Sequence, residues 1–105
     1  MAQVVPQFDT VIHARHRLQI CSLLGGVDAL SFATVQETLQ VSDYVVSKHV
    51  RVLADAGYVT TRKQRHGGRS QTWLSLTEAG RRALESHLAE LRRITALGSE
   101  DGSAP

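Results

Sequence analysis

The chain has 105 residues, 42% of them hydrophobic and 21% charged, which suits one domain with a modest core and excludes a disordered chain. Its net charge is only +2, so bulk charge attracts nucleic acid weakly and any DNA binding must come from where the cations sit. The one cysteine, Cys21, excludes an internal disulfide and a multi-cysteine zinc site.

Residues 1–8 read as an irregular arm, with Pro6 as a breaker. MAQVVPQFDT has no basic start followed by an apolar run, and no later run approaches the ~20 residues of a membrane span. A cytoplasmic chain with no membrane partner is expected. A first helix is expected over about 9–25, capped by Asp9 or Thr10 and ended by Gly25-Gly26. Its apolar arc, Ile12, Ala14, Leu18, Ile20, Cys21, Leu23 and Leu24, is wide enough for two packing surfaces. Ser31 can cap a second helix over about 32–40, with Val35 and Leu39 inward. The turn Gln40-Val41-Ser42 follows, and Ser42 caps a third helix over about 43–56 that Gly57 stops. Strands are expected at 58–65 and 70–76, then a last helix over 78–97 capped by Thr77. The tail 98–105, GSEDGSAP, reads as disordered. One domain thus spans 9–97, with no internal repeat.

The third helix separates into two faces at helical spacing. Val45, Val46, His49, Val50, Val52, Leu53 and Ala56 share one side, and Tyr44, Ser47, Lys48, Arg51 and Asp55 the other. Most surface helices have a solvated polar face. This one follows a tight turn after a short helix, which is helix-turn-helix spacing. Its hydroxyls, aromatic ring and cations can also reach base edges and phosphates. Tyr44, Ser47, Lys48 and Arg51 are therefore expected in the major groove, with Lys48 and Arg51 on guanine or phosphate. Ser42 and the helix-start amides can hold a phosphate. Asp43 suits the helix dipole but repels a phosphate unless it reads a cytosine amine. His49 reads as a half-buried structural histidine, with a readout role as the alternative.

Gly67-Gly68 fits the two central positions of a type I′ turn, both of which need positive φ. That register sets Val59 against Leu76, Thr61 against Leu74, Arg62 against Trp73, Arg65 against Ser70 and His66 against Arg69. The hairpin then has an apolar root and a cationic tip. A charged tip also discourages edge pairing, but directly after a recognition helix it lies beside DNA. Arg65 or Arg69 can enter the minor groove, while Arg62, Lys63 and Gln64 suit the backbone. His66 sits at the same tip. Trp73 either stacks on Arg62 or is buried against the first helix or a partner subunit.

Leu84, Leu88, Leu91 and Ile94 make a narrow stripe on the last helix, flanked by His87 and Thr95. About 20 residues give roughly 30 Å of helix, as long as a small domain is wide. The stripe either folds back on its own core or forms a dimer interface with the first helix through Ile12. The dimer is preferred, and it presents two recognition helices about 34 Å apart to a near-palindromic site.

Catalysis is not expected. Cys21 lies on the apolar arc, Ser47 and His49 point apart on their helix, and both glycine pairs are turns. No cofactor is implied. Glu85, His87 and Glu90 make a poor tetrahedral set, and His13 with His16 are read as polar surface residues, so no metal site is expected.

The runs HRLQICSLLGG, LQVSDYVVSKHVRVLADAGYVTTRK and HGGRSQTWLSLTEAGRRAL resemble winged-helix regulators of the MarR/ArsR type, most closely the short MarR-like group. The resemblance covers about residues 8–95. It implies an α+β, mainly α fold: a winged helix-turn-helix with a two-stranded β-wing and a C-terminal dimerisation helix. It also implies a bacterial or archaeal dimeric regulator, usually a repressor, with double-stranded DNA as partner. By position, Ser42 through Arg51 read the groove and 62–71 form the wing. The Cys-x-Cys of many ArsR-type metal sensors is missing. The chain is too short for most of the helices that shape an effector pocket in larger MarR proteins, so any small-molecule effector stays unknown. The alternatives are a winged helix that binds protein and a non-specific architectural DNA binder.

Overall fold

Two serines start the paired helices at the centre of the molecule, α2 (Phe32–Leu39) and α3 (Asp43–Asp55). Ser31 accepts the Thr34 N–H at 3.1 Å, and Ser42 accepts the Val45 N–H at 3.2 Å. Each occupies one of the amides that a helix start leaves unpaired. Between the helices Gln40 takes the left-handed conformation, φ 56°, and its N–H bonds the Gln36 carbonyl. That turns the chain sharply enough to lay α3 across α2, at a cost of about 1 kcal/mol for a residue with a Cβ.

The computed structural model describes residues 3–103, apart from the side chains of His66 and 99–103. In chain order the other elements are α1 (Arg15–Gly25), β1 (Leu30–Ser31), β2 (Val59–His66), β3 (Arg69–Leu76) and α4 (Glu78–Ser103). The fold is α+β and mainly helical, four helices with one antiparallel sheet ordered β1-β3-β2. The wing register is the expected one, with Val59 opposite Leu76, Arg62 opposite Trp73 and His66 opposite Arg69. Gly67 and Gly68 have φ of 59° and 80°, as the tight turn requires. The third strand, β1, was not expected from the sequence. Two residues are too few for an alternating pattern, yet Leu30 and Ser31 pair with Leu74 and Trp73.

The first helix begins six residues later than expected. Asp9 does cap, but it caps a separate turn, its Oδ1 accepting the N–H groups of Val11 and Ile12 at 2.9 Å. Ala14 is then extended, φ −139° and ψ 139°, which a helix cannot cross.

Ile20, Cys21 and Leu24 of α1, Val35 of α2, and Val46, Val50 and Leu53 of α3 meet Val59, Leu74 and Leu76 of the sheet in one core. Burial pushes the Cys21 thiol up to about 12, so it stays protonated. Thr77 caps α4 as expected, accepting the Gly80 N–H and donating to the Gly57 carbonyl. Gly80 lies so close to Tyr58 that a Cβ there would stand 2.2 Å from its carbonyl oxygen.

Two further expectations need correction. Helix α4 runs through Ser103, so 98–103 are helical and not a disordered tail. Gly98 weakens a helix by about 1 kcal/mol, which α4 absorbs where no proline intervenes. Residues 104 and 105 of that tail lie outside the described residues. Ile12 and Leu84, assigned to a dimer interface, are 0% and 6% exposed within this one chain. They fill the domain's own core and have almost no area left for a partner. No helix among the described residues is long and apolar enough to cross a membrane.

Candidate nucleic-acid interface

The packing of α3 decides which of its side chains face outward. Val46, Val50 and Leu53 point into the core, which turns Tyr44, Ser47, Lys48 and Arg51 to solvent. Tyr44 is 74% exposed, so both its ring and its hydroxyl face solvent. Tyr44, Ser47, Lys48 and Arg51 line one shallow groove of about 390 Å³. A second, larger groove of about 670 Å³ runs between α3 and the root of the wing. Asp43, Ser47 and Arg51 stand on its helix side, and Thr61, Lys63 and Thr72 on its strand side. Residues of α3 and the wing therefore share one concave face.

Asp43 is the acidic member of that face. Its Oδ1 accepts the Ser47 hydroxyl at 3.1 Å, one helical turn on. Ser42 is exposed, and its oxygen is already engaged as the cap of α3. Arg62, Lys63, Arg65 and Arg69 are exposed along the wing. The side chain of His66 lies outside the described residues. Among the described residues, the ion pairs are Arg82–Glu78 and Arg93–Glu90, both within α4. The cations of α3 and the wing have no such partner among the described residues.

His49 is half-buried, and its Nδ1 faces Arg17 Nη1 at 3.1 Å. Burial, then Arg17, His16 and Lys48, hold it below the ordinary imidazole value. The Ser47 hydroxyl turns to Asp43 and His49 to Arg17, so the two form no nucleophile–base pair. Trp73 is half-buried, with its backbone between those of Arg62 and Ser31.

On α4, Leu88 and Leu91 are half-buried, whereas Ile94 and Leu97 are 40% and 51% exposed. His87 was expected at the edge of this stripe. It is instead fully buried, accepting the Asp9 N–H at Nδ1, 3.0 Å away. His13 faces His87, and His16 faces Gln19. No group of three or more His, Cys, Asp or Glu able to hold a metal occurs among the described residues.

Sequence reasoning missed Asp9, Arg17, Tyr58 and His87 as a connected set. Their contacts span up to 78 positions, so no local spacing reveals them. The available cue was compositional: four of the five histidines flank apolar helix faces.

The chain is similar to several known proteins. An uncharacterised protein of Methanocaldococcus jannaschii is 29% identical over 79 residues, 75% of this chain and 86% of that one. A transcriptional regulator homologue from Pyrococcus horikoshii superimposes with a TM-score of 0.77 at 24% identity, covering 90% of this chain and 89% of that one. HlyU from Vibrio cholerae gives 0.61 at 25% identity, covering 77% and 83%. The zinc-responsive MarR family member ZitR of Lactococcus lactis shares the fold, with a TM-score of 0.63 at 19% identity, covering 97% and 67%. The family model described as a winged helix DNA-binding domain matches residues 16–95, from the first turn of α1 far into α4, and the chain belongs to that family.

Proposed function

We propose that the protein is a sequence-specific regulator of transcription that binds double-stranded DNA as a homodimer, acting as a repressor at a near-palindromic operator. The observation that carries this reading is the shared face of α3 and wing, where Ser47, Arg51 and Lys63 line one groove. In it Tyr44, Ser47, Lys48 and Arg51 read the major groove. Ser42 and the amides at the start of α3 hold a phosphate, and Asp43 accepts from a cytosine amine or orients Ser47. Arg62 and Lys63 contact the backbone, and Arg65, His66 and Arg69 carry the tip to the minor groove. Leu88, Leu91, Ile94 and Leu97 supply the dimer contact. The protein works where the DNA is, in the cytoplasm, and catalyses no reaction.

Two variants separate reading from anchoring. Arg51→Ala should remove a base contact, costing about 1–3 kcal/mol on the preferred duplex and little on a random one. Arg65→Ala with Arg69→Ala should weaken all duplexes alike and flatten the dependence of log K on log salt by roughly one to two units. The check is fluorescence anisotropy on both duplexes across a salt series. A wild-type affinity that does not change with salt would favour a protein-binding wing.

A further inference from the structure

A continuous polar path joins α4 to the recognition helix, and the DNA-facing groups are not part of it. It starts at His87, where Nδ1 accepts the Asp9 N–H and Nε2 lies 3.0 Å from Nδ1 of His13. The Phe8 ring covers both imidazoles, 4.5 Å from His13 and 4.8 Å from His87 between centroids. Asp9 is the hub. Its Oδ1 caps the turn at Val11 and Ile12, and its Oδ2 accepts the Tyr58 hydroxyl at 2.6 Å. The Val11 carbonyl accepts from Nε of Arg17, whose Nη1 reaches Nδ1 of His49 on α3.

The donors fix the proton positions. A backbone N–H only donates, so His87 Nδ1 is bare and a neutral His87 carries its proton on Nε2. That N–H points at His13, so His13 Nδ1 is bare as well. A guanidinium only donates, so His49 Nδ1 is also bare. A proton added at any of these three nitrogens sets donor against donor and breaks the path. The groups facing His87 are Asp9 and His13, and Asp9 in turn holds Tyr58. Those facing His49 are Arg17 and His16 from α1 and Lys48 from its own helix. His49 thus has only cationic or titratable neighbours, and acid gains no compensating anion there.

We propose that the 9–12 turn is a strut that positions the recognition helix from α4, with Asp9 as its hub and Arg17 as its contact to α3. The proposal rests on α3 being the groove-reading helix. Arg17 is half-buried and touches no part of the candidate DNA face, so it acts through His49 as a positioning residue.

The test uses the full chain, a duplex selected by the wild type from a random pool, and a scrambled duplex. Arg17→Lys keeps the charge but replaces the planar fork by one flexible ammonium, which cannot reproduce the fixed spacing of the Nε and Nη1 contacts to Val11 and His49. It should lower affinity for the selected duplex about tenfold while leaving the scrambled duplex and the salt slope unchanged. In the wild type, the ratio of selected to scrambled affinity should fall from about pH 7.5 to about pH 5.5. His49→Gln keeps an acceptor for Arg17 but cannot titrate. It should match the wild type at the higher pH and show a smaller fall. Equal loss on both duplexes would reduce Arg17 to a fold-holding role and overturn the strut. Wild-type selectivity in Arg17→Lys, or a ratio that rises in acid, would overturn it too. If the wild type selects no duplex, the DNA reading itself fails and the strut falls with it.

Discussion

At the scale of single residues, the buried histidines make stability depend on pH. Burial, then the nearby His13, holds His87 below the ordinary imidazole value, with Asp9 acting in the opposite direction. His49 is lowered as well, chiefly by burial. Such a group binds fewer protons folded than unfolded, so stability rises with pH across its window. The contribution is complete above the unfolded value of about 6.5 and is lost as pH falls toward the folded value. The expected outcome is a stability that declines between about pH 7 and about pH 5.5, by at most about 1.4 kcal/mol per pH unit for each histidine, with Tm falling in step. His49→Gln with His87→Gln should flatten that decline. Thermal unfolding followed by circular dichroism checks it, and an unchanged pH slope in the double variant contradicts the assignment. Sequence reasoning placed His49 correctly as half-buried, because its place on the apolar arc of α3 is local information. His87 has no such local cue, since its partner Asp9 arrives from the other end of the chain.

Among the elements, α2, α3 and the wing were legible because their determinants are short-range. A cap serine, a 3.6-residue apolar period and a pair of glycines settle each one within a few positions. β1 and the true start of α1 depend on distant partners, β3 for the first and Arg17 for the turn before the second, and were missed. Gly80 and Gly98 of α4 are a test of how that helix is held along its length. Gly80→Ala pushes a methyl group into the Tyr58 carbonyl and should destabilise by about 1–3 kcal/mol. Gly98→Ala meets nothing within 4 Å and should stabilise by about 0.5–1 kcal/mol. Urea unfolding of the two variants checks both signs. Equal effects would mean that α4 does not pack on the α3–β2 junction as described.

The whole molecule measures 65 × 32 × 21 Å, and α4 is its longest helix. A helix of 26 residues is about 39 Å long, and its buried positions end near His87. The candidate site was legible as a set of residue types, but its division between core and partner was not. Leu84 shares the helical period of the exposed stripe and Ile12 belongs to the apolar arc expected of the first helix, and only the packed fold shows that both belong inside. Ile94 and Leu97 are the better probes of assembly. Ile94→Glu with Leu97→Glu should leave the helix content intact and convert a dimer to monomers in sedimentation velocity. A dimer that persists would move the interface away from the end of α4. Such monomers should also bind a palindromic duplex more weakly than the wild type, because each then engages one half-site alone. The most direct test of the central claim is selection of duplexes from a random pool by the full chain. The account predicts enrichment of a near-palindromic sequence with half-site centres about 34 Å, or one helical turn, apart. A pool that emerges unenriched, from a chain shown to be folded, would contradict it.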